Sequence, residues 1–377
     1  MSTREWMETP SVVLDETRLL RNIDRMQALA TAQGVQLRPH AKTHKTREIA
    51  ALQLSAGACG LTVSKPSEAL QFLRGEVPGL KSLLLAYPVV QSNKVREVLK
   101  EAQQQSIEFL LTVDSTEGVD AAEEAAKACG CPLNLLIHVD VGYHRVGIEE
   151  DDPKLLALAR RIDKSSSLEF RGLLSHAGMI SVDNEYLILF IHLNLFYASY
   201  GVCCDDFVLF KFHTPPQIRP GNYVFLDRTP VRMGLCTVQD VALTVLATVV
   251  SSNKYNFIVD AGSKVLSSDG ARSAGDFGSK CYGLAFYEKD FKRVLSEPKH
   301  NKSLLDDGQE LICFEVTKLS EEHGWIKAVE GIPYPAIGQR LVIVPNHSCV
   351  VSNLTDKFYI QGKQSKTWSL LSRGCTQ

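Results

Sequence analysis

The sequence predicts a parallel α/β barrel followed by a mostly β domain. Three observations carry that expectation. The first two-thirds alternates short, continuously apolar segments with amphipathic stretches, at the spacing of about 30 residues typical of a (β/α)8 barrel. No Gly-x-Gly-x-x-Gly loop follows an early apolar segment, which argues against an open doubly wound sheet. After about residue 236 the amphipathic stretches stop, and short strand-like segments separated by turn residues take over.

The elements follow in order. Pro10–Leu14 reads as a strand, and residues 16–34 place Leu19, Leu20, Ile23, Met26 and Leu29 at helical spacing before the breaker Gly34. Residues 35–40 read as a strand and 44–56 as a helix. Residues 60–63 are the next strand, and a helix over 67–74 is opened by Pro66-Ser67-Glu68. The unit repeats as 82–87 with 92–104, 108–113 with 116–129, and 133–139 with 152–162; 170–176 is a sixth barrel strand. Beyond residue 236, strands are expected over 241–251, 256–259, 310–319, 325–329 and 340–344. The expected domains are a barrel over 14–235 and a β domain over 236–377, joined by residues 1–13.

The chain has 377 residues, 41 Lys plus Arg against 43 Asp plus Glu, and 45% hydrophobic residues. This is a globular composition, and the near-balance of charge argues against a broad nucleic-acid footprint. The N-terminus lacks the apolar run of a secretory signal, so the ten cysteines are expected as cytoplasmic, reduced thiols. Cys129-Gly-Cys131 and Cys203-Cys204 have no second pair at metal-ligand spacing. Tyr186–Cys204 is an uncharged, aromatic-rich run of 19 residues. Polar interruptions and acidic flanks argue for a buried segment over a membrane span.

On a barrel, reactive groups sit at the C-terminal ends of the strands. Reading those ends gives Arg38-Pro39-His40-Ala41-Lys42-Thr43-His44-Lys45, then Ser64-Lys65, Tyr87-Pro88, Asp114, Asp140-x-Gly142-x-x-Arg145 and Ser175-His176-Ala177-Gly178. A lysine at the end of the first barrel strand, desolvated and beside the cations Arg38, His40, His44 and Lys45, is suited to Schiff-base chemistry. His347 and Cys349 after the strand 341–344 stand at i, i+2; on extended backbone both face one side and can ligate a metal, the thiolate favouring zinc. The Pro-Gly loop Arg219-Pro220-Gly221-Asn222-Tyr223 offers backbone N–H groups where barrels commonly bind phosphate.

Together these motifs resemble the D-serine dehydratase and D-threonine aldolase group, pyridoxal-phosphate enzymes of the alanine-racemase fold. The resemblance runs through residues 10–64, 80–88, 134–148, 219–235, 257–270 and 340–352, including Val259-Asp260-Ala261-Gly262-Ser263-Lys264 and Glu322-His323-Gly324. It implies that Lys42 is the Schiff-base and catalytic lysine. Arg145, His176, Gly221, Asn222 and Tyr223 contact pyridoxal phosphate, and His347 with Cys349 holds Zn²⁺. It also implies a small D-hydroxy-amino-acid substrate, a homodimer, and no nucleic-acid or membrane partner. Cys349, where the aldolase branch has an acid, points to dehydration of D-serine to pyruvate and ammonia; a retro-aldol lyase of the D-threonine aldolase kind is the alternative.

The resemblance lapses over residues 179–214. The family's Gly-Ser-Thr-Pro strand is missing, Leu174 stands where a cofactor-facing tyrosine is usual, and only 39 residues lie between Ala177 and Gln217. The barrel is therefore expected to be incomplete around its seventh strand. A pyridoxal-phosphate protein with weakened or no catalysis is a third expectation.

Overall fold

The computed structural model describes residues 6–176, 215–269, 281–291, 302–304, 310–327, 333–361 and 366–377. The chain divides into two compact units. A parallel unit comprises Met26–Lys42, Arg47–Gly221 and Gly374–Gln377, and an antiparallel unit comprises Met1–Arg25, Thr43–Thr46 and Asn222–Arg373.

In chain order the described elements begin with β1 (Ser11–Asp15) and α1 (Glu16–Ala32). The parallel unit continues with β2 (Gln36–Leu37), α2 (Arg47–Ser55), β3 (Leu61–Val63), α3 (Pro66–Arg74), β4 (Ser82–Leu85) and α4 (Ser92–Gln104). Then come β5 (Glu108–Val113), α5 (Thr116–Cys129), β6 (Leu133–Asp140), β7 (Ile148–Glu149), α6 (Pro153–Asp163), β8 (Leu168–Ser175) and β9 (Gln217–Ile218). Strands β3, β4, β5 and β6 run parallel in that order, with β7 and β8 both pairing β6. A separate parallel pair joins β2 to β9.

Local chemistry sets the helix ends. The Ser115 hydroxyl accepts the Gly118 N–H at the start of α5, and Gly130 closes it in the left-handed conformation. Asp152 caps α6 ahead of Pro153 at its first position. The expected helices over 92–104 and 116–129 and the strand over 108–113 have the observed bounds. The expected helix over 44–56 is α2, which starts at Arg47 and not at residue 44 because Lys45 takes a φ of 57°; a 3-10 turn, Ala41–Thr43, precedes it. The uncharged run Tyr186–Cys204 and the expected seventh-strand region lie outside the described residues; among the described residues no helix is long and apolar enough to cross a membrane.

Inside the parallel unit, Leu84, Leu110, Leu136 and Leu174 form an apolar layer with Ala86. A polar belt holds Arg38, whose guanidinium donates to the Gln217 amide oxygen at 2.7 Å and the Ser82 hydroxyl at 2.9 Å. Ser82 in turn donates to Glu108 at 2.6 Å, and Arg171 reaches Glu108 at 3.1 Å. Arg38 is 4% exposed, so removing it strands its partners in the interior. Arg38→Met is expected to cost about 3 kcal/mol of stability, read by urea unfolding.

The antiparallel unit contains β10 (Leu243–Ser252), β11 (Asn256–Val259), β12 (Gly283–Tyr287), β13 (Lys302–Leu304), β14 (Glu310–Ile312), β15 (Phe314–Leu319), β16 (Gly324–Lys327), β17 (Arg340–Pro345), β18 (Lys357–Gln361) and β19 (Lys366–Ser369). Strands β10, β11, β16, β15, β12 and β17 close into a six-stranded antiparallel barrel, since β17 and β11 both pair β10. Strands β1, β18 and β19 extend the sheet from β10, and β13 pairs β14 in a separate hairpin. Val13, Leu246, Leu284, Phe286, Val342 and Val344 are central to its core. The motif around Gly262 is structural here: a Cβ on Gly262 would lie 2.3 Å from the Glu321 carbonyl oxygen, so only glycine lets the two backbones meet.

Candidate active site

The site residues expected from sequence fall on both units, and the chain passes between the units at Lys42/Thr43 and again at Gly221/Asn222. Each unit carries its own cluster.

In the parallel unit, Lys42 sits exposed in the short 3-10 turn after β2. Hydrogen bonds from Arg38 N–H to the Ile218 carbonyl and from His40 N–H to the Pro220 carbonyl fix that turn, and His40 bridges Thr62. The Asp-x-Gly-x-x-Arg motif is a loop organised by one carboxylate. Asp140 accepts the N–H groups of Gly142, Tyr143 and His144 at 3.0 Å each, which holds its carboxyl below the usual range. The loop presents Arg145 over the Tyr143 ring at 5.2 Å, and Tyr143 meets His176 edge-on at 5.4 Å. Gly147 closes the loop at φ +112°, where a Cβ would lie 2.6 Å from the Asp140 nitrogen. Gly147→Ala is expected to displace this loop and weaken pyridoxal-phosphate binding at least ~10-fold, measured by absorbance titration.

Two further residues join this cluster. Arg219 donates to the Ser175 carbonyl at 2.7 Å; burial, then Arg38, lowers its pKa to about 10, so it stays cationic at neutral pH. His138, on β6, is 3% exposed, and burial together with Arg219, His176 and Arg145 pushes its pKa down to about 4. His176 is exposed at its surface, yet desolvation by the protein around its ring and the cations Arg145, Lys42 and Arg219 also push it to about 4. The cluster is a positive basin, and its chemistry fits the phosphate and carboxylates of a pyridoxal-phosphate complex.

The pH consequence follows from the sign of these shifts. The unfolded chain binds protons at these histidines near pH 6.5, whereas the folded chain resists until about pH 4. Their contribution to stability is therefore complete above 6.5 and lost as pH falls through 4. For buried His138 the loss is about 3 kcal/mol. Urea unfolding at pH 7 and pH 4 checks it, with a shallower decline in His138→Phe.

In the antiparallel unit, the expected extended His-x-Cys pair is corrected in its backbone. His347 is the extended residue capping a helix over Ser348–Leu354, and Cys349 lies in that helix's first turn. The two side chains remain close enough to interact electrostatically. Cys349 Sγ also contacts Thr43 Oγ1 at 3.2 Å, and Thr43 directly follows Lys42 in sequence.

Asp227 organises this cluster. Fully buried, it caps a helix over Arg228–Arg232 by accepting the Thr229 N–H at 3.0 Å. Its other oxygen accepts from Asn222 Nδ2 at 2.8 Å and the Ser348 N–H at 3.0 Å, and lies 3.1 Å from His347 Nδ1. Burial opposes charge on His347, but hydrogen bonds to Asp227 and Cys349 push its pKa up to about 10. A carboxylate on Nδ1 leaves Nε2 as the ligating nitrogen, the usual outer-sphere arrangement of a metal-bound histidine. Among the described residues no group of three or more His, Cys, Asp or Glu could hold a metal; His347 and Cys349 are two candidate ligands, with the Asp227 carboxylate on the histidine Nδ1. With a thiolate in the set they fit zinc.

The remaining expected residues are placed as follows. Gly221 ends the parallel unit, while Asn222 and the buried Tyr223 form a 3-10 turn in the antiparallel one. Asn222 is committed through its side chain to Asp227 and Ser348. Of the cations expected around Lys42, Arg38 serves the polar belt, and His44 is buried with Nδ1 accepting the Thr46 N–H. The Lys45 ammonium donates to the Ser372 carbonyl at 3.3 Å. These side chains build structure because burial demands partners for them. Asp227, Thr43, Arg219 and His138 were not assigned from sequence. An Asp two residues before Thr229 signals a helix cap, but nothing in the sequence links it to a histidine 120 positions away.

Residues 14–187 match the "Alanine racemase, N-terminal domain" family and residues 242–361 the "Putative serine dehydratase domain" family. The D-threo-3-hydroxyaspartate dehydratase of Delftia sp. is 31% identical over 91% of this chain and 91% of its own length. The D-serine dehydratase of Dictyostelium discoideum is 25% identical over 94% of this chain and 93% of its length. A solved, metal-free cysteine-to-alanine variant of D-threo-3-hydroxyaspartate dehydratase superposes with a TM-score of 0.78 at 29% identity, covering 97% of this chain and 98% of that one. Neighbours of this kind combine a TIM barrel with a C-terminal β domain. The chain belongs to the D-serine dehydratase and D-threonine aldolase family of pyridoxal-phosphate lyases with the alanine-racemase fold.

Proposed function

We propose that the chain is a pyridoxal-phosphate- and zinc-dependent lyase that dehydrates D-serine to pyruvate and ammonia. The observation that supports this most is the His347–Cys349 pair with Asp227 on the histidine's far nitrogen. In this reading residues 14–235 form a (β/α)8 barrel incomplete around its seventh strand, and residues 236–377 with 1–13 form the β domain that carries the metal ligands.

Pyridoxal phosphate, when bound, supplies an electron sink for charge developing at the substrate α-carbon. Zinc, when bound, supplies Lewis acidity toward the departing β-oxygen. Lys42 would hold the cofactor, and its amine would serve as the base for the substrate α-proton. Arg145, held over Tyr143 by the Asp140 loop, and His176 would support the cofactor ring, while Gly221, Asn222 and Tyr223 would hold its phosphate through their backbone. Asp227 on Nδ1 orients the His347 ring, so that Nε2 and the Cys349 thiolate would be the ligands for the metal. A homodimer is expected, and light scattering checks it.

A second reading, elimination from the β-carboxylated substrate D-threo-3-hydroxyaspartate, is favoured by the 31% identity to the Delftia enzyme. Incubation with separate D-amino acids discriminates the readings. D-Serine gives pyruvate, D-threo-3-hydroxyaspartate gives oxaloacetate, and retro-aldol cleavage of D-threonine gives glycine and acetaldehyde. Cofactor binding with no turnover of any of them would leave a pyridoxal-phosphate protein with no lyase activity.

A further inference from the structure

Among the described residues, four buried polar atoms of the parallel unit lack a hydrogen-bond partner, and two of them, His138 Nδ1 and Thr112 Oγ1, stand on its strands. Their side chains share one face of the sheet. On β5, Thr112 follows Leu110 by two residues, and on β6, His138 follows Leu136 by two. Leu110 and Leu136 belong to the apolar layer with Leu84 and Leu174, so Thr112 and His138 stand on the same inward face, toward the C-terminal ends of the strands. Thr112 pairs in register with Leu136, and His138 with Leu174. Thr112 is fully buried and His138 is 3% exposed. Leaving such groups unmet costs about 1–3 kcal/mol each, a cost normally removed by a partner. Arg219, His176, Arg145 and Asp140 are the titratable neighbours of the His138 ring, and Arg219, His176 and Arg145 also belong to the basin around Lys42.

We infer that His138, with Thr112 beside it, is a cofactor-binding residue whose orphaned nitrogen meets a polar atom on the edge of the pyridoxal-phosphate ring. The inference rests on the proposed cofactor. A flat heteroaromatic ring suits a floor of leucines flanked by cations, and it carries the polar edge atoms that the two orphaned groups require. The unmet groups are then a preformed subsite, unfavourable in the empty chain and satisfied on loading.

The test uses full-length apoprotein titrated with pyridoxal phosphate and followed by visible absorbance, with thermal unfolding of the same unloaded samples. His138→Leu is expected to weaken binding at least ~10-fold, the scale of one buried hydrogen bond, while the apoprotein melts no lower than wild type. His138→Asn, which keeps a polar atom near the Nδ1 position, is expected to stay within ~3-fold of wild type. Unchanged affinity in His138→Leu overturns the inference, as does an equal loss in the asparagine variant. If wild-type protein itself takes up no pyridoxal phosphate, the functional reading fails first, and the titration separates the two failures.

Discussion

Replacing Lys42 with alanine is expected to abolish covalent attachment of pyridoxal phosphate and to lower turnover by about 10²–10⁴-fold, the usual contribution of a positioned acid–base group. The turn carrying Lys42 is fixed by backbone bonds from Arg38 to Ile218 and from His40 to Pro220, so losing the exposed side chain leaves the fold intact. Stability should stay within about 0.5 kcal/mol of wild type, since the side chain is exposed. The check is a borohydride-reduced digest: wild type yields a cofactor-modified peptide containing Lys42, and the variant yields none. A modified peptide elsewhere in the chain would reassign the anchor.

Replacing Asp227 with alanine should produce the largest combined effect. Its two oxygens serve Thr229, Asn222, Ser348 and His347 in a fully buried position, so four groups lose a partner together. A stability loss of about 3–5 kcal/mol is expected, along with a further 10–100-fold loss of zinc affinity because the His347 ring is no longer oriented. Asp227→Asn separates the two effects. It retains an acceptor for the helix cap but presents an amide N–H toward one set of donors, so zinc affinity should fall more than stability. Isothermal titration with zinc and urea unfolding measure them separately.

Much of the architecture was legible in the sequence because it depends on short-range patterns. Continuous apolar segments and capped helices gave α4, β5 and α5 their bounds, since Ser115 and Gly130 act on their own neighbours. Strands β12, β18 and β19, and the helix over Ser348–Leu354, were not anticipated. The three strands are short and draw their stability from sheet pairing, which a local reading does not register. The candidate site was legible where chemistry is concentrated in a motif, as at His40–Lys45 or Asp140–Arg145. It was illegible where function comes from pairing across the fold. Asp227 read as a helix cap, His138 as one more residue in an apolar strand, and Arg38 as a cation for Lys42 when it serves the polar belt.

Turnover of D-serine with and without a metal chelator tests the central claim most directly. Full-length protein loaded with pyridoxal phosphate is expected to release pyruvate and ammonia in equal amounts, to stop when the metal is stripped, and to recover when zinc is returned. Pyruvate formation that continues undiminished in metal-free protein, or its absence from fully loaded protein, would contradict it.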